Sequence, residues 1–248
     1  MNGLFDAIKD NLFFVGELVL IVAAVFLIAY IFEKLLQKKN GINEKILTTR
    51  KMTMIGLFSA LATILMMFEI PVFFAPPFYK IDLSEIPVLI CTFAFGPVAG
   101  VLTETVKILL KLVFKSTSTA FVGELANFVI GCSFILPAVM LYDFKKSKKA
   151  AMFSCVLGTA VMTIVGSAFN GIYLLPKFAE LYGMPLDALI AMGTEVNASI
   201  KDVTTFVVLA VMPMNLLKGV VISVVTMLVY KRISRVIKSG SSDSVARK

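Results

Sequence analysis

The stretch KIDLSEIPVLICTFAFGPVAGVLTETVKILLKLVF, Lys80 to Phe114, decides the fold class. From Ile86 to Phe114 it stays apolar for longer than one bilayer crossing needs, which is about 20 residues. FGPVAG (Phe95 to Gly100) sits in the middle as a glycine–proline break, so the segment reads as two short helices joined by a turn. The rest of the chain repeats this pattern of apolar runs cut by short polar blocks. Of its 248 residues, 58% are hydrophobic and only 16% charged, with a mean hydropathy of +0.92. Soluble domains carry about a quarter charged residues. The expectation is an all-α, polytopic integral membrane protein.

Upstream of this stretch, Leu12 to Phe32 is too long for a signal-peptide core and lacks a small-residue cleavage site, so it reads as a retained helix. EKLLQKKNGINEKILTTRK (Glu33 to Lys51) is a basic linker broken at Asn40-Gly41. A second span, Met52 to Ile70, ends where Pro71, Pro76 and Pro77 forbid regular helix. Downstream, polar KSTSTA (Lys115 to Ala120) precedes a span from Phe121 to Tyr142 and the basic block DFKKSKK (Asp143 to Lys149). A further span, Ala150 to Leu175, leads into a segment ending at Asp202 that carries four acidic residues against two lysines and has room for a short interfacial helix. The last span, Thr205 to Tyr230, contains Pro213 and runs into a basic tail.

Threaded alternately, these spans put the 33–51 linker, the FGPVAG turn, the KKSKK block and the C-terminus on one side. By the positive-inside rule that side is the cytoplasm. The expected organisation is an N-terminal transmembrane helix with a basic cytoplasmic linker (1–51), a membrane domain of about six helices (52–235) and a disordered cytoplasmic tail (236–248). No internal repeat is apparent. The net charge of +8 lies in these loop blocks, which argues for topology signals and against nucleic acid. Cys91, Cys132 and Cys155 all lie in apolar runs without motif spacing and read as packing thiols.

Ionisable or amide side chains inside spans are costly and therefore informative. Glu104, Lys107 and Lys111 share one helix face at i, i+3 and i+7, where Glu104 can pair with Lys107 and Lys111 can snorkel to an interface. Glu124 and Asn127 sit a turn apart near a helix start, and two readings stand: a cap or packing contact, or the wall of a ligand pocket. Asn170 lies deep in a span, where its carboxamide requires a partner. Asn215 and Lys218 follow Pro213, which cannot donate to the carbonyl one turn earlier and so opens the helix where both side chains project. An amide offers donor and acceptor while lysine offers donors alone, a set suited to a carbonyl-rich heterocycle or its hydroxylated chain. Gly56, Ser59, Ala60 and Thr63 mark a small-residue side of the second span, with Gly56 and Ala60 at small-xxx-small spacing.

The phrases KIDLSEIPVLICTFAFGPVAGVLTETVKILLKLVF, GELANFVIG and PMNLLKGVVIS resemble the substrate-binding S components of energy-coupling factor (ECF) vitamin transporters, in particular the riboflavin-specific members. The resemblance covers residues 52–235. It implies a six-helix core in a prokaryotic plasma membrane, cytoplasmic termini, and riboflavin as transported ligand rather than cofactor. Asn170, Asn215 and Lys218 would contact the flavin beneath the Phe74 to Asp82 loop, with Lys80, Asp82, Glu124 and Asn127 as further expected contacts. It also implies docking of Gly56 and Ala60 on a transmembrane coupling subunit that works with two ATPase subunits. The usual docking pair is Ala-x-x-x-Ala, from which Gly56 departs, and the N-terminal helix is an addition to the usual core.

Other classes fare worse. The chain has no histidine, which removes Ser-His and His-metal hydrolysis. Asp82, Asp143 and Asp202 all sit at segment ends, so no aspartyl dyad forms within the spans. No phosphate-binding glycine loop is present. No catalytic residue, metal site or cofactor is expected. An S component for a different vitamin stays open, as does a stand-alone secondary carrier of a small heterocycle.

Overall fold

The computed structural model describes residues 12–39, 41, 45–117, 119–144 and 147–242, with side chains through residue 229. Asn40, the first two lysines of DFKKSKK and the end of the tail lie outside the described residues. The elements are α1 (Leu12–Lys39), α2 (Thr49–Met67), β1 (Ile70–Pro71), β2 (Lys80–Ile81), α3 (Glu85–Phe95), α4 (Pro97–Phe114), α5 (Val122–Phe144), α6 (Lys148–Phe169), α7 (Leu175–Tyr182), α8 (Leu186–Val196), α9 (Val203–Phe206) and α10 (Met212–Ser242). A π-helical turn joins α6 to α7 at Asn170–Leu174, and a second joins α9 to α10 at Val207–Val211.

Among the described residues, α1, α2, α5, the continuous α6–α7 rod and the α9–α10 rod to Val229 are long and apolar enough to cross a membrane. The two short helices expected from Lys80 to Phe114 are present as α3 and α4. Gly96 divides them at φ +100°, a backbone that favours glycine, and Pro97 opens α4 where its missing N–H is no loss. Lipid-facing positions carry bare apolar side chains such as Leu20, Val113, Ile172 and Leu228. The interior packs Leu89 and Phe93 of α3 against Phe134, Ile135 and Ala138 of α5, Met162 of α6 and Ile222 of α10.

The two ends of the bundle are separately tied. At one end, Glu33 of α1 accepts a 3.0 Å hydrogen bond from the Val98 amide at the start of α4 and pairs with Lys51 of α2 at 3.2 Å. Lys39 lies over the Phe144 ring at that end. At the other end, Glu69 meets Lys80 at 3.0 Å and Lys115 at 3.4 Å, and Tyr173 donates to Glu17 of α1. Burial works to raise the Glu69 carboxyl, but the two lysines outweigh it and hold the group below its ordinary range. The 33–51 linker, the FGPVAG turn and the end of α5 thus share one side, as the alternate threading requires.

Several expectations change in detail. Helix does not stop at Leu175: it passes through Pro176 to Tyr182, because a π turn lets the chain absorb the proline. The last span begins at Val203, where the Asp202 side chain accepts from the Thr205 amide in a capping box. α10 continues to Ser242, so residue 235 does not end a helix and residues 236–242 are helical rather than disordered. The small residues of α2 do not form one side. Ser59 and Thr63 are buried and donate to the carbonyls of Thr103 and Lys107 on α4, at 3.2 and 3.3 Å, while Gly56 and Ala60 face outward.

The N-terminal helix is therefore pinned to the bundle through Glu33. Glu33→Ala leaves the Val98 amide and Lys51 without their acceptor and is expected to cost about 1–3 kcal/mol, seen as a lower melting temperature in detergent. Glu33→Gln, which keeps an acceptor for Val98, should lose less; equal melting of wild type and Glu33→Ala would refute the tie.

Candidate functional site

The loop 72–79 is closed at its base by the antiparallel β1–β2 bridge, which pairs Ile70 with Ile81 and Pro71 with Lys80. Beneath it lies an apolar cluster of Val72, Ala75 and Tyr79 against Leu175, Ile190, Ile200, Phe206, Ala210 and Met214. Both π turns border this cluster, and both precede a proline by the same interval. Pro176 follows Leu174 by two residues and Pro213 follows Val211 by two. A proline cannot donate to the preceding turn and its ring crowds the carbonyl there, so each helix widens by one residue just before its proline. The turns meet each other: a Cβ on Gly171 would lie 2.9 Å from Val207 Cγ2.

The polar residues expected to act together are carried by these two openings. Asn170 is the first residue of one π turn and is buried; its Oδ1 accepts from the Tyr79 hydroxyl at 2.5 Å. Asn215 and Lys218 follow the other. Asn215 is 1% exposed and its Nδ2 has no hydrogen-bond partner. That nitrogen sits 3.0 Å from the place a Cβ on Gly166 would occupy. An unpaired buried amide donor is unusual and makes Asn215 a candidate for a contact that the protein alone does not supply. Lys218 Nζ pairs with Asp82 Oδ2 at 3.2 Å and lies 3.9 Å from Glu85. Asp82 in turn accepts from the Ser84 amide at 2.8 Å. Asp82 is thereby tied to Lys218.

The remaining expected contacts are engaged elsewhere. Lys80 is spanned across the rim to Glu69. Glu124 is fully buried and takes Lys111 at 2.5 Å, with further donors from Thr117 and Thr119 at 3.0 and 3.4 Å. Lys111 thus pairs across helices instead of snorkelling. Asn127 donates to the Gly123 carbonyl of its own helix at 2.9 Å. For Glu124 and Asn127 the recorded partners favour the structural reading over the pocket-wall reading.

Sequence reasoning missed Tyr79 and Glu85. Tyr79 lies within the covering loop, where an aromatic ring carries no spacing signal. Glu85 sits where loop becomes helix, just ahead of the apolar run that begins at Ile86, so nothing in its neighbourhood signals burial. It is 0% exposed, its Oε1 takes Lys107 at 3.0 Å, and Lys107 also meets Glu104 at 2.6 Å and Ser84 Oγ at 3.1 Å. An apolar groove of about 790 Å³ runs between α1 and α4, lined by Val22, Phe26, Leu102 and Ile108 among others. Tyr30 and Thr105 are the only polar side chains in its lining and none is charged, whereas amides and an ammonium converge under the 72–79 loop, which is the candidate site.

The sequence profile of the ECF transporter substrate-specific component matches residues 50–230. The chain belongs to this family. It is 36% identical to the riboflavin transporter RibU of Staphylococcus aureus (strain TCH60) over 76% of this chain and 93% of that protein. It is 33% identical to the riboflavin transporter FmnP of Bacillus subtilis (strain 168) over 73% of this chain and 90% of that protein. A solved structure described as the S component of a bacterial ECF transporter superposes with a TM-score of 0.59 at 36% identity, covering 76% of this chain and 98% of that one. Helices α2 to α10 carry the family domain, and the protein is a multi-pass membrane protein. α1 precedes the matched residues.

The two π turns approach closely at Gly171. Gly171→Val places atoms where Val207 already stands and is expected to lower the melting temperature markedly; an unchanged melt would show that the turns do not touch.

Proposed function

We propose that this protein is the riboflavin-binding subunit of an ECF-type vitamin importer, with the flavin held between the two π turns beneath the 72–79 loop. The observation that carries this reading is the unpaired, buried Asn215 Nδ2, one turn from Lys218. Its setting is a chain whose relatives at 36% and 33% identity are named riboflavin transporters. An isoalloxazine ring presents carbonyl oxygens and ring nitrogens along one edge and an apolar face on either side. The amides of Asn170 and Asn215 can each donate and accept along such an edge, and the Lys218 ammonium can only donate. Tyr79, Phe206 and Met214 supply the apolar enclosure that excludes water.

Binding calls for rearrangement at two contacts. The Tyr79 hydroxyl occupies Asn170 Oδ1, so a ligand using that oxygen displaces the tyrosine and moves the covering loop with it. Lys218 need not release Asp82, since an ammonium has three donors. Asp82 holds the lysine in one direction, which reduces the ordering cost of binding.

In this reading no reaction is catalysed, and transport draws its energy from ATPase subunits through a membrane-embedded coupling subunit. Gly56 and Ala60 on the outward face of α2 form the docking stripe: nothing lies within 4 Å of a Cβ built on Gly56. The basic 33–51 linker and the C-terminus lie on the cytoplasmic side.

The test measures riboflavin affinity of the purified protein by equilibrium dialysis, beside uptake by cells carrying the whole transporter. Asn170→Ala, Asn215→Ala and Lys218→Met each remove a ligand partner in a dry pocket, worth about 1–3 kcal/mol, so each is expected to weaken binding by roughly tenfold or more. Ala60→Phe should leave affinity at the wild-type value and abolish uptake. Unchanged affinity in all three site variants would remove the site assignment, and normal uptake by Ala60→Phe would remove the docking stripe.

A further inference from the structure

From Leu12 to Phe32 the apolar run of α1 holds a single charged residue, Glu17. A carboxylate in such a helix is costly and calls for a partner. The partner comes from far along the chain: the Tyr173 hydroxyl donates to Glu17. Tyr173 belongs to the π turn Asn170–Leu174, so a residue ahead of the family-matched region 50–230 reaches the turn that carries Asn170. Beside it, Lys177 of α7 lies over the Phe14 ring of α1, 5.0 Å from the centroid. α1 thus holds both the turn and the helix that follows it.

The side chains of the turn divide three ways. Asn170 and Leu174 are buried, Ile172 is 81% exposed, and Tyr173 reaches α1. The Tyr173 ring also stacks on Phe169, the residue before Asn170, with centroids 5.1 Å apart and planes 9° from parallel. A π turn carries one residue more than the regular ladder. Each residue of an α-helix turns the chain by about 100°, so relaxing the widening by one residue would swing Asn170 out of phase with α7 and away from Tyr79. Holding Tyr173 in place opposes that swing, and the ring stack passes the restraint to the residue adjoining Asn170.

We infer, on the flavin site proposed above, that Glu17 is a positioning residue: through Tyr173 it holds the π turn in the phase that aims Asn170 at the ligand. α1 is then part of the binding machinery and not only an anchor. An amide that is already aimed costs less to order when the flavin binds.

The test measures riboflavin affinity of the full chain by equilibrium dialysis, in the wild-type and Asn170→Ala backgrounds, with the melting temperature of each variant beside it. Glu17→Ala removes the acceptor, and Tyr173→Phe keeps the ring stack but removes the hydroxyl. Each is expected to weaken binding by about two- to tenfold, the range of one net hydrogen bond. In the Asn170→Ala background neither substitution should weaken binding further, because the residue it positions is gone. Wild-type affinity in either Glu17→Ala or Tyr173→Phe overturns the inference, whatever the melting temperatures. So does an equal loss in the two backgrounds, which marks a general structural effect. If Asn170→Ala alone binds riboflavin as the wild type does, the site itself is misplaced and the positioning role falls with it.

Discussion

The structure depends on bringing charge into a membrane domain without leaving it bare. An isolated ion there costs several kcal/mol, and removing one partner of a buried pair costs about 3–5 kcal/mol. Lys107 is fully buried and answers to Glu85, Glu104 and Ser84 at once. Lys218 answers to Asp82 and, at longer range, to Glu85. These contacts fix the end of the covering loop, α3, α4 and α10 relative to one another. The backbone of α4 then receives α2 through Ser59 and Thr63. The proposed docking stripe on the outer side of α2 is thus linked to the lysine that the ligand would meet through Glu85, Lys107 and the Thr63 hydroxyl.

The binding region is built by opening helices rather than by adding loops. Each π turn forms because a proline two residues further on cannot complete the regular ladder. Where the ladder widens, an amide-bearing residue stands: Asn170 at the start of one turn, Asn215 just beyond the other. Irregular backbone inside a membrane is tolerated where it is buried in protein or lines a cavity, and the contact at Gly171 meets that condition. The short loop that covers the region is tied at its base by the β1–β2 bridge and at its tip by Tyr79 on Asn170.

Much of this was legible in the sequence, because bilayer thickness and proline chemistry act locally. The break at Gly96–Pro97, the alternation of basic and acidic loops, the Glu104–Lys107 pair and the opening near Pro213 all follow from residues close along the chain. The π turn at Asn170–Leu174 carried a comparable signal in Pro176, but an apolar run that long hides a one-residue widening. Contacts between distant residues were not legible. Lys218 and Asp82 lie 136 positions apart, and nothing in either neighbourhood names the other. The split of the α2 stripe was hidden for a related reason: helical spacing puts Ser59 and Gly56 close in angle, and only the position of α4 decides which is covered. Glu124 looked like a ligand contact because its partner, Lys111, belongs to another helix.

The central claim is that the two opened helices enclose a flavin beneath the 72–79 loop, and titration of purified wild-type protein with riboflavin, followed by flavin fluorescence, tests it most directly. Enclosure beside protein groups predicts saturable quenching that ends at one riboflavin per chain. Emission that stays at its free-solution value across the titration, in protein that remains folded, would contradict it.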